Sequence, residues 1–347
     1  MQTRSPLHIA LARVVRDILK DGIRTSLELF VVMVPAIVAV KILLELDLIR
    51  WLALPLEPVM GLVGLPGETG LVWASALLNN FYGGMAVFMT LPGMELTAAQ
   101  ATVLWTMLLV AHALPVELAV ARRSGPRLQF QGVCRVGCAL VLGKILQLVY
   151  QAGGWLQDPA VVVLAPPDTT DPGLWQWGLG QAKNLGAIFL VILALLVLLR
   201  ILKAIRVIDL LNAMLKPVLR AIGIGARASA VTIIGLTLGL SYGGGLIIRE
   251  SRDGALGRRD VFYSLTLMGL SHALIEDTLV AVLLGAGISG ALWGRLGFTL
   301  FFVALLVQVA RRLPQRLADR FLWGPPRPGE DEGDEPKLGL DNPDNRR

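Results

Sequence analysis

Charge is scarce in this chain: Lys, Arg, Asp and Glu make up 17% of its 347 residues. That is well short of the roughly one quarter usual in soluble domains. Cysteine is nearly absent, and Cys134 and Cys138 lie four apart inside an apolar run, where helix packing is the expected role and a metal or redox pair is not. Soluble-enzyme motifs are missing too. There is no H-E-x-x-H and no G-x-S-x-G. "GCALVLGK" (137–144) has five residues between its glycines and no Ser or Thr after the Lys, so it is not a phosphate loop, and "GIGARA" lacks the third glycine and preceding strand of a dinucleotide fingerprint. An enzyme is not expected, and no cofactor is implied. Alternating ten-residue strands are absent as well, which excludes a membrane β-barrel.

Long apolar runs are present instead. Hydrophobic residues reach 54%, and "LGAIFLVILALLVLLRIL" (185–202) is one of several runs near the ~20 residues a helix needs to cross hydrocarbon. Continuous apolarity suits only helices in lipid. The expected fold class is therefore an all-α polytopic membrane protein. The first run begins near Leu27 and continues to Leu46, too deep and too long for a signal-peptide core. Residues 1–25 place Leu7, Leu11, Val14, Ile18 and Leu19 opposite Arg13, Arg16 and Lys20, as in a helix lying on an anionic membrane face. Residues 311–347 are basic, then acidic and rich in Pro and Gly, which predicts a disordered cytoplasmic tail. The net charge of +6 sits in short loops, where it marks topology, and nucleic acid is not an expected partner.

Between these ends the chain repeats itself. "LEPVMGLVGLPGETG" (56–70) aligns with "LKPVLRAIGIGARAS" (215–229), "NNFYGGMAV" (79–87) with "GLSYGGGLI" (239–247), and "VAHALPVELAV" (110–120) with "LSHALIEDTLV" (270–280), at offsets of 159, 160 and 160. Loop charge orients the copies. The segment between Tyr150 and Lys183 has no Lys or Arg but holds Asp158, Asp168 and Asp171, so it belongs outside, whereas Arg122, Arg123 and Arg127 belong inside. Segment 48–90 is flanked by a single basic residue, Arg50, and its counterpart 207–248 by many, including Arg206, Arg249, Arg252, Arg258 and Arg259. If each such segment is a re-entrant hairpin, each copy crosses three times and the second copy is inverted, an architecture of secondary transporters.

Copy one (26–153) then comprises span 26–46, hairpin 48–90, span 96–121 and span 130–153. Copy two (183–310) comprises span 183–203, hairpin 207–248, span 260–285 and span 289–310, with 154–182 as an extracytoplasmic loop. Gly235, Gly239 and Gly243, and their counterparts Ser75, Asn79 and Gly83, have the spacing of close helix contacts. Asn79 and Asn80 would also be able to meet a polar solute.

An ionisable residue at mid-membrane needs a partner, a wet cavity or a neutral form, because an isolated charge costs at least about 2.5–3.5 kcal/mol there. His272 and Glu276 would share one helix face. His112 recurs as His272, and Glu117 stands where copy two has Asp277, so a His followed five residues later by a carboxylate occurs twice. Pro115 would break the first of these helices and free the Ala111 carbonyl. These groups would line a solute or proton path. A divalent metal held by the same His and carboxylates is the alternative. Glu68 and Arg227 are equivalent at the hairpin turns and would form a gating ion pair or clamp a solute.

The paired "GLPGETG"/"GIGARAS" turns, the "YGG" repeats and the "HALPVE"/"HALIED" broken helices resemble the Gate, or nucleoside-recognition, domain. Spore maturation proteins A and B, the membrane part of ferrous-iron transport protein B and concentrative nucleoside transporters share that domain, and the resemblance covers about residues 26–310. It implies two inverted Gate-type repeats. The tip Gly67-Glu68-Thr69-Gly70 keeps the Gly and Thr of the nucleoside carriers' Gly-Gln-Thr-Glu tip but moves the acid, Arg227 has no counterpart there, and no GTP-binding domain accompanies the repeats.

The resulting expectation is a permease for a small polar solute, nucleoside-like by the resemblance, in a prokaryotic inner membrane. It would be coupled to protons or sodium, with both termini cytoplasmic and homo-oligomerisation left open. Glu68, Thr69, Asn79, Asn80, Arg227, His112, Glu117, His272, Glu276 and Asp277 are the candidate solute-binding residues. The alternatives are a non-transporting assembly protein of the spore-maturation type and a divalent metal ion permease.

Overall fold

The computed structural model describes residues 7–46, 48–91, 94–163 and 173–324. Among them every extended element is helical, and no strand forms beyond a bridge between Thr97 and Pro159. In chain order the helices are α1 (Leu7–Glu45), α2 (Ile49–Ala53), α3 (Glu57–Leu62), α4 (Thr69–Leu78), α5 (Phe81–Phe88), α6 (Ala98–Val110), α7 (Leu114–Ser124) and α8 (Leu128–Gly153). They continue as α9 (Leu174–Ala204), α10 (Val207–Ile222), α11 (Ala226–Leu238), α12 (Leu240–Arg252), α13 (Arg258–Ser271) and α14 (Glu276–Leu283). A π-helical stretch, Ser289–Gly294, then leads into α15 (Arg295–Arg312), and α16 (Gln315–Ala318) follows.

Among the described residues, six helical segments are long and apolar enough to cross a membrane: Arg16–Glu45, Ala98–Ser124, Leu128–Gly153, Leu174–Ala204, Arg258–Leu283 and Ser289–Arg312. They are the six spans expected from the sequence. The hairpin helices are shorter, and at about 1.5 Å per residue the ten residues of α4 reach only half way across hydrocarbon. Residues 7–25, expected to lie on the membrane face, are continuous with the first span in one 39-residue helix. Of the acidic loop, Asp168 and Asp171 lie outside the described residues.

Element boundaries recur at the spacing of the sequence repeat. α6 begins at Ala98 and α13 at Arg258, 160 residues on; α6 stops two residues before His112 and α13 directly before His272. After α3 the Leu65 amide donates to the Met60 carbonyl, and after α10 the Ile224 amide donates to the Leu219 carbonyl, each at 3.0 Å. Such a helix ending requires a left-handed residue, and Gly64 (φ 72°) and Gly223 (φ 107°) supply it 159 residues apart.

The chain forms two compact units that interleave the repeats. The first comprises Met1–Pro115, Gly137–Leu211 and Leu274–Arg295. In it α1 packs on α9 and α5, the α4–α5 hairpin packs on α6, and α6 packs on α14 and the π-helical stretch. Trp105, fully buried, donates its indole N–H to the Leu284 carbonyl at 2.9 Å and meets the rings of Phe81 and Phe88. One end is tied by the 154–163 segment, where the amides of Ala98, Ala160 and Val163 donate to the carbonyls of Asp158, Leu96 and Leu283.

The second unit comprises Val116–Val136, Asn212–Ala273 and Leu296–Arg347. Its α11–α12 hairpin packs on α13. A Cβ on Gly243 would stand 2.5 Å from the Gly235 Cα, so the expected small-residue contact is formed. The Ser251 hydroxyl donates to the Ser124 carbonyl at 3.0 Å, which joins the ends of α12 and α7. Residues 311–324, expected to belong to a disordered tail, are folded. Arg258 donates to Asp319 Oδ1 and to the Gly324 carbonyl at 3.1 and 2.9 Å, Arg127 holds the Asp319 carbonyl, and Trp323 is buried against Phe262 and Tyr263. These anchors outweigh the low apolar content on which the disorder expectation rested. Residues 325–347, the acidic part of that tail, lie outside the described residues.

Candidate functional site

Both central helices are broken at equivalent points. α6 ends at Val110 and α7 starts at Leu114, while α13 ends at Ser271 and α14 starts at Glu276. The residue after each histidine is left-handed: Ala113 has φ 49° and Ala273 has φ 48°. An L-residue there costs roughly 1–2 kcal/mol, so the two breaks share a strained conformation. Pro115 does not cause the first break. It sits in the opening turn of α7, where its missing N–H is not needed, and the second break forms with no proline at all.

Each histidine caps the helix it ends. His112 Nδ1 lies 2.8 Å from the Leu108 carbonyl, and His272 Nδ1 lies 3.0 Å from the Met268 carbonyl. A carbonyl only accepts, so Nδ1 carries the proton in both rings.

In the second unit His272 Nε2 stands 3.8 Å from Glu117 Oε1, and the other oxygen of Glu117 is ion-paired with Arg135. The side chains of Arg135, Glu117 and His272 are 3%, 7% and 7% exposed, so the whole cluster is removed from solvent. Beside it Gln131 donates to the Thr266 hydroxyl at 3.0 Å. A cavity of ≈ 10 Å³ lies between Glu117, Gln131, Arg135 and Gly269, room for about one water. Truncating one partner of such a pair leaves an uncompensated buried charge.

In the first unit His112, Asp277 and Arg295 are all buried, Arg295 completely. Glu276 is half-buried, and Tyr82 lies within electrostatic reach of Glu276 and Asp277. Glu276 does not share a helix face with His272 as expected, because the chain leaves the helix at His272 and the i, i+4 register is lost. The acid that faces His272 is Glu117.

The remaining sequence candidates have local roles. Thr69 is buried and donates to the Pro66 carbonyl at 2.6 Å. Asn79 ends α4, and Asn80 caps α5 by accepting from the Gly83 amide at 2.8 Å. Glu68 is exposed at the start of α4. Arg227, 65% exposed, pairs with Glu250 of its own hairpin at 2.8 Å, so its counter-charge comes from the next helix and not from the tip expected to match it.

Sequence reasoning missed Arg135 and Arg295. Their signal was available, since they are 160 residues apart, the offset of His112 and His272 and of Glu117 and Asp277. A buried His, acid and Arg therefore occur once per repeat.

Six long apolar helices, two of them broken at buried ionisable residues, define an all-α polytopic membrane protein. The chain is similar to the uncharacterized membrane protein YvoD of Bacillus subtilis (strain 168), 28% identical over 272 residues, which are 77% of this chain and 85% of that protein. No family model matches the chain, and no solved structure matches it.

Proposed function

We propose that this protein is a secondary permease for a small polar solute, built from two inverted Gate-type repeats, 26–153 and 183–310, in a prokaryotic inner membrane with both termini cytoplasmic. The observation that carries the reading is the recurrence, once per repeat, of a broken helix with a buried His, acid and Arg. Interrupted helices and ionisable residues are expensive in lipid, and they mark ion and solute paths. Packing alone is met by apolar residues, since replacing a buried ion pair with them is often neutral or stabilising.

Inversion is supported by loop charge, since Arg206, Arg249, Arg252, Arg258 and Arg259 flank the second hairpin and Arg50 alone flanks the first. The Ser251–Ser124 bond puts the end of the second hairpin on the same side as the end of the first broken helix, as a re-entrant hairpin requires.

The test is uptake into proteoliposomes from a panel of nucleosides, amino acids, organic acids and divalent metals. One class should accumulate, and His272→Ala should lose most of the rate while remaining folded. A well-folded protein that moves none of these would favour the assembly-protein alternative and sink the permease.

A further inference from the structure

Resting on the permease reading, we propose that the Glu117–Arg135–His272 cluster takes up a small oxyanion, a monovalent carboxylate or phosphodiester solute, at Arg135 together with one proton on Glu117.

Arg135 is the fixed element. A guanidinium stays charged and presents a planar fork that fits a two-oxygen anion, and at 2% exposure Arg135 must keep a counter-anion close. In the structure Glu117 is that counter-anion. With His272 neutral, the cluster carries no net charge. If Glu117 takes a proton, its charge disappears and Arg135 is left in need of an anion, which a solute oxyanion supplies. The cluster is neutral again, so one proton and one monovalent anion enter together and neither enters well alone in a low-dielectric site.

The surroundings fit this exchange. His272 has its Nδ1–H committed to the Met268 carbonyl and its Nε2 at 3.8 Å from Glu117 Oε1, so a small approach of the two side chains brings them within reach of a proton transfer from Nε2 to that carboxylate oxygen. The cavity beside the pair, ≈ 10 Å³, is too small for an anion next to an ionised Glu117, so the solute has to replace the carboxylate. Gly269 lies directly against the Arg135 stem, where a Cβ would be in ordinary contact with its Cδ at 3.4 Å. Arg135 from α8 and His272 from the end of α13 face Glu117, and the ligand atoms of His112, Glu117 and His272 lie within 4.8 Å of one another. Gln131 and Thr266 carry no charge, Arg122 and Arg123 on α7 are exposed, and Arg258 and Asp260, at the start of α13, bond to Asp319 and to the Gly225 amide. His112, Asp277 and Arg295 form the equivalent residue set in the first unit.

The experiment measures binding to the detergent-purified full-length protein by thermal stabilisation between about pH 5.5 and 8.5, a range over which one exchangeable proton per anion changes affinity by up to about tenfold per unit. The probes are pyruvate and dimethyl phosphate, with uridine and Mn²⁺ for comparison. Wild type should bind the anions more tightly as pH falls. Glu117→Gln, which mimics the protonated acid, should bind them with a flat pH profile at the affinity wild type reaches in acid. The double variant E117Q/R135Q, which removes both charges together and avoids an orphaned ion, should bind neither.

Failure of both anions to bind E117Q overturns the proposal. So does wild-type affinity that is flat or rises with pH, or anion binding that survives in the double variant. The expected binding pattern without uptake in proteoliposomes keeps the site and sinks the permease. Uptake of uridine by the double variant at the wild-type rate keeps the permease and sinks the site.

Discussion

The two broken spans and the two outermost spans obey opposite rules. Ala98–Ser124 and Arg258–Leu283 are 61% and 78% buried over their most apolar stretches, while Arg16–Glu45 and Leu174–Ala204, which are more apolar, are 17% and 18% buried. In water the ordering would be reversed. In lipid no solvent drives apolar helices inward, and polar groups need protein partners. The buried pair therefore carries the histidines, acids and strained turns, and the exposed pair carries long runs of Leu, Val and Ile. Hydropathy finds all four spans, but it ranks them backwards for function.

The largest test of this contrast is at the buried pair. Glu117→Ala and Arg135→Ala should each destabilise the protein by about 3–5 kcal/mol by stranding a charge, read as a drop in the unfolding midpoint in detergent, and E117Q/R135Q should lose less than either. Equal losses in all three would mean that the ion pair is not coupled.

Hairpin packing is the next level. Gly243→Ala drives a Cβ into the Gly235 backbone and should cost about 1–3 kcal/mol. The control is Gly297→Ala on α15, which meets nothing within 4 Å and should be neutral or slightly stabilising.

At the breaks, Ala113→Gly and Ala273→Gly should each stabilise by about 0.5–1 kcal/mol through relief of the left-handed strain. Destabilisation by both would show that the methyl groups pack more than they strain. The smallest effect belongs to the outer helices. Val31→Ala and Leu190→Ala, at positions 75% and 64% exposed, should stay within about 0.5 kcal/mol, and a larger loss from either would reveal a protein partner on that face.

The spans were legible because run length is a direct consequence of crossing a bilayer, whereas the reversals were not: α4 packs on α5 about Asn79–Asn80 and α11 on α12 about Gly239, not about the expected turns at 64–70 and 223–229. The histidines were legible because they recur. Arg135 and Arg295 escaped because each, taken singly, reads as one stray charge near the end of a span, and only their shared offset reveals them. The pairing of His272 with Glu117 was hidden for a different reason: helical register implies Glu276, and nothing local in "SHALIED" announces that Ala273 turns left-handed. The charged tips, Glu68 and Arg227, were overvalued, since equivalence in a repeat does not bring two residues together. The fold of 313–324 depends on Arg127 and Arg258, nearly 200 and more than 60 residues upstream of Asp319, and local composition is blind to partners at that range.

Neither copy of the repeat contains a whole unit. The first unit takes 183–211 and Leu274–Arg295 from the second copy, and the second takes Val116–Val136 from the first. A chain severed between the copies would give two fragments, each missing a helix that the other holds, so they would have to complement each other in trans. A single-repeat ancestor would by the same logic have needed a second copy to complete either unit.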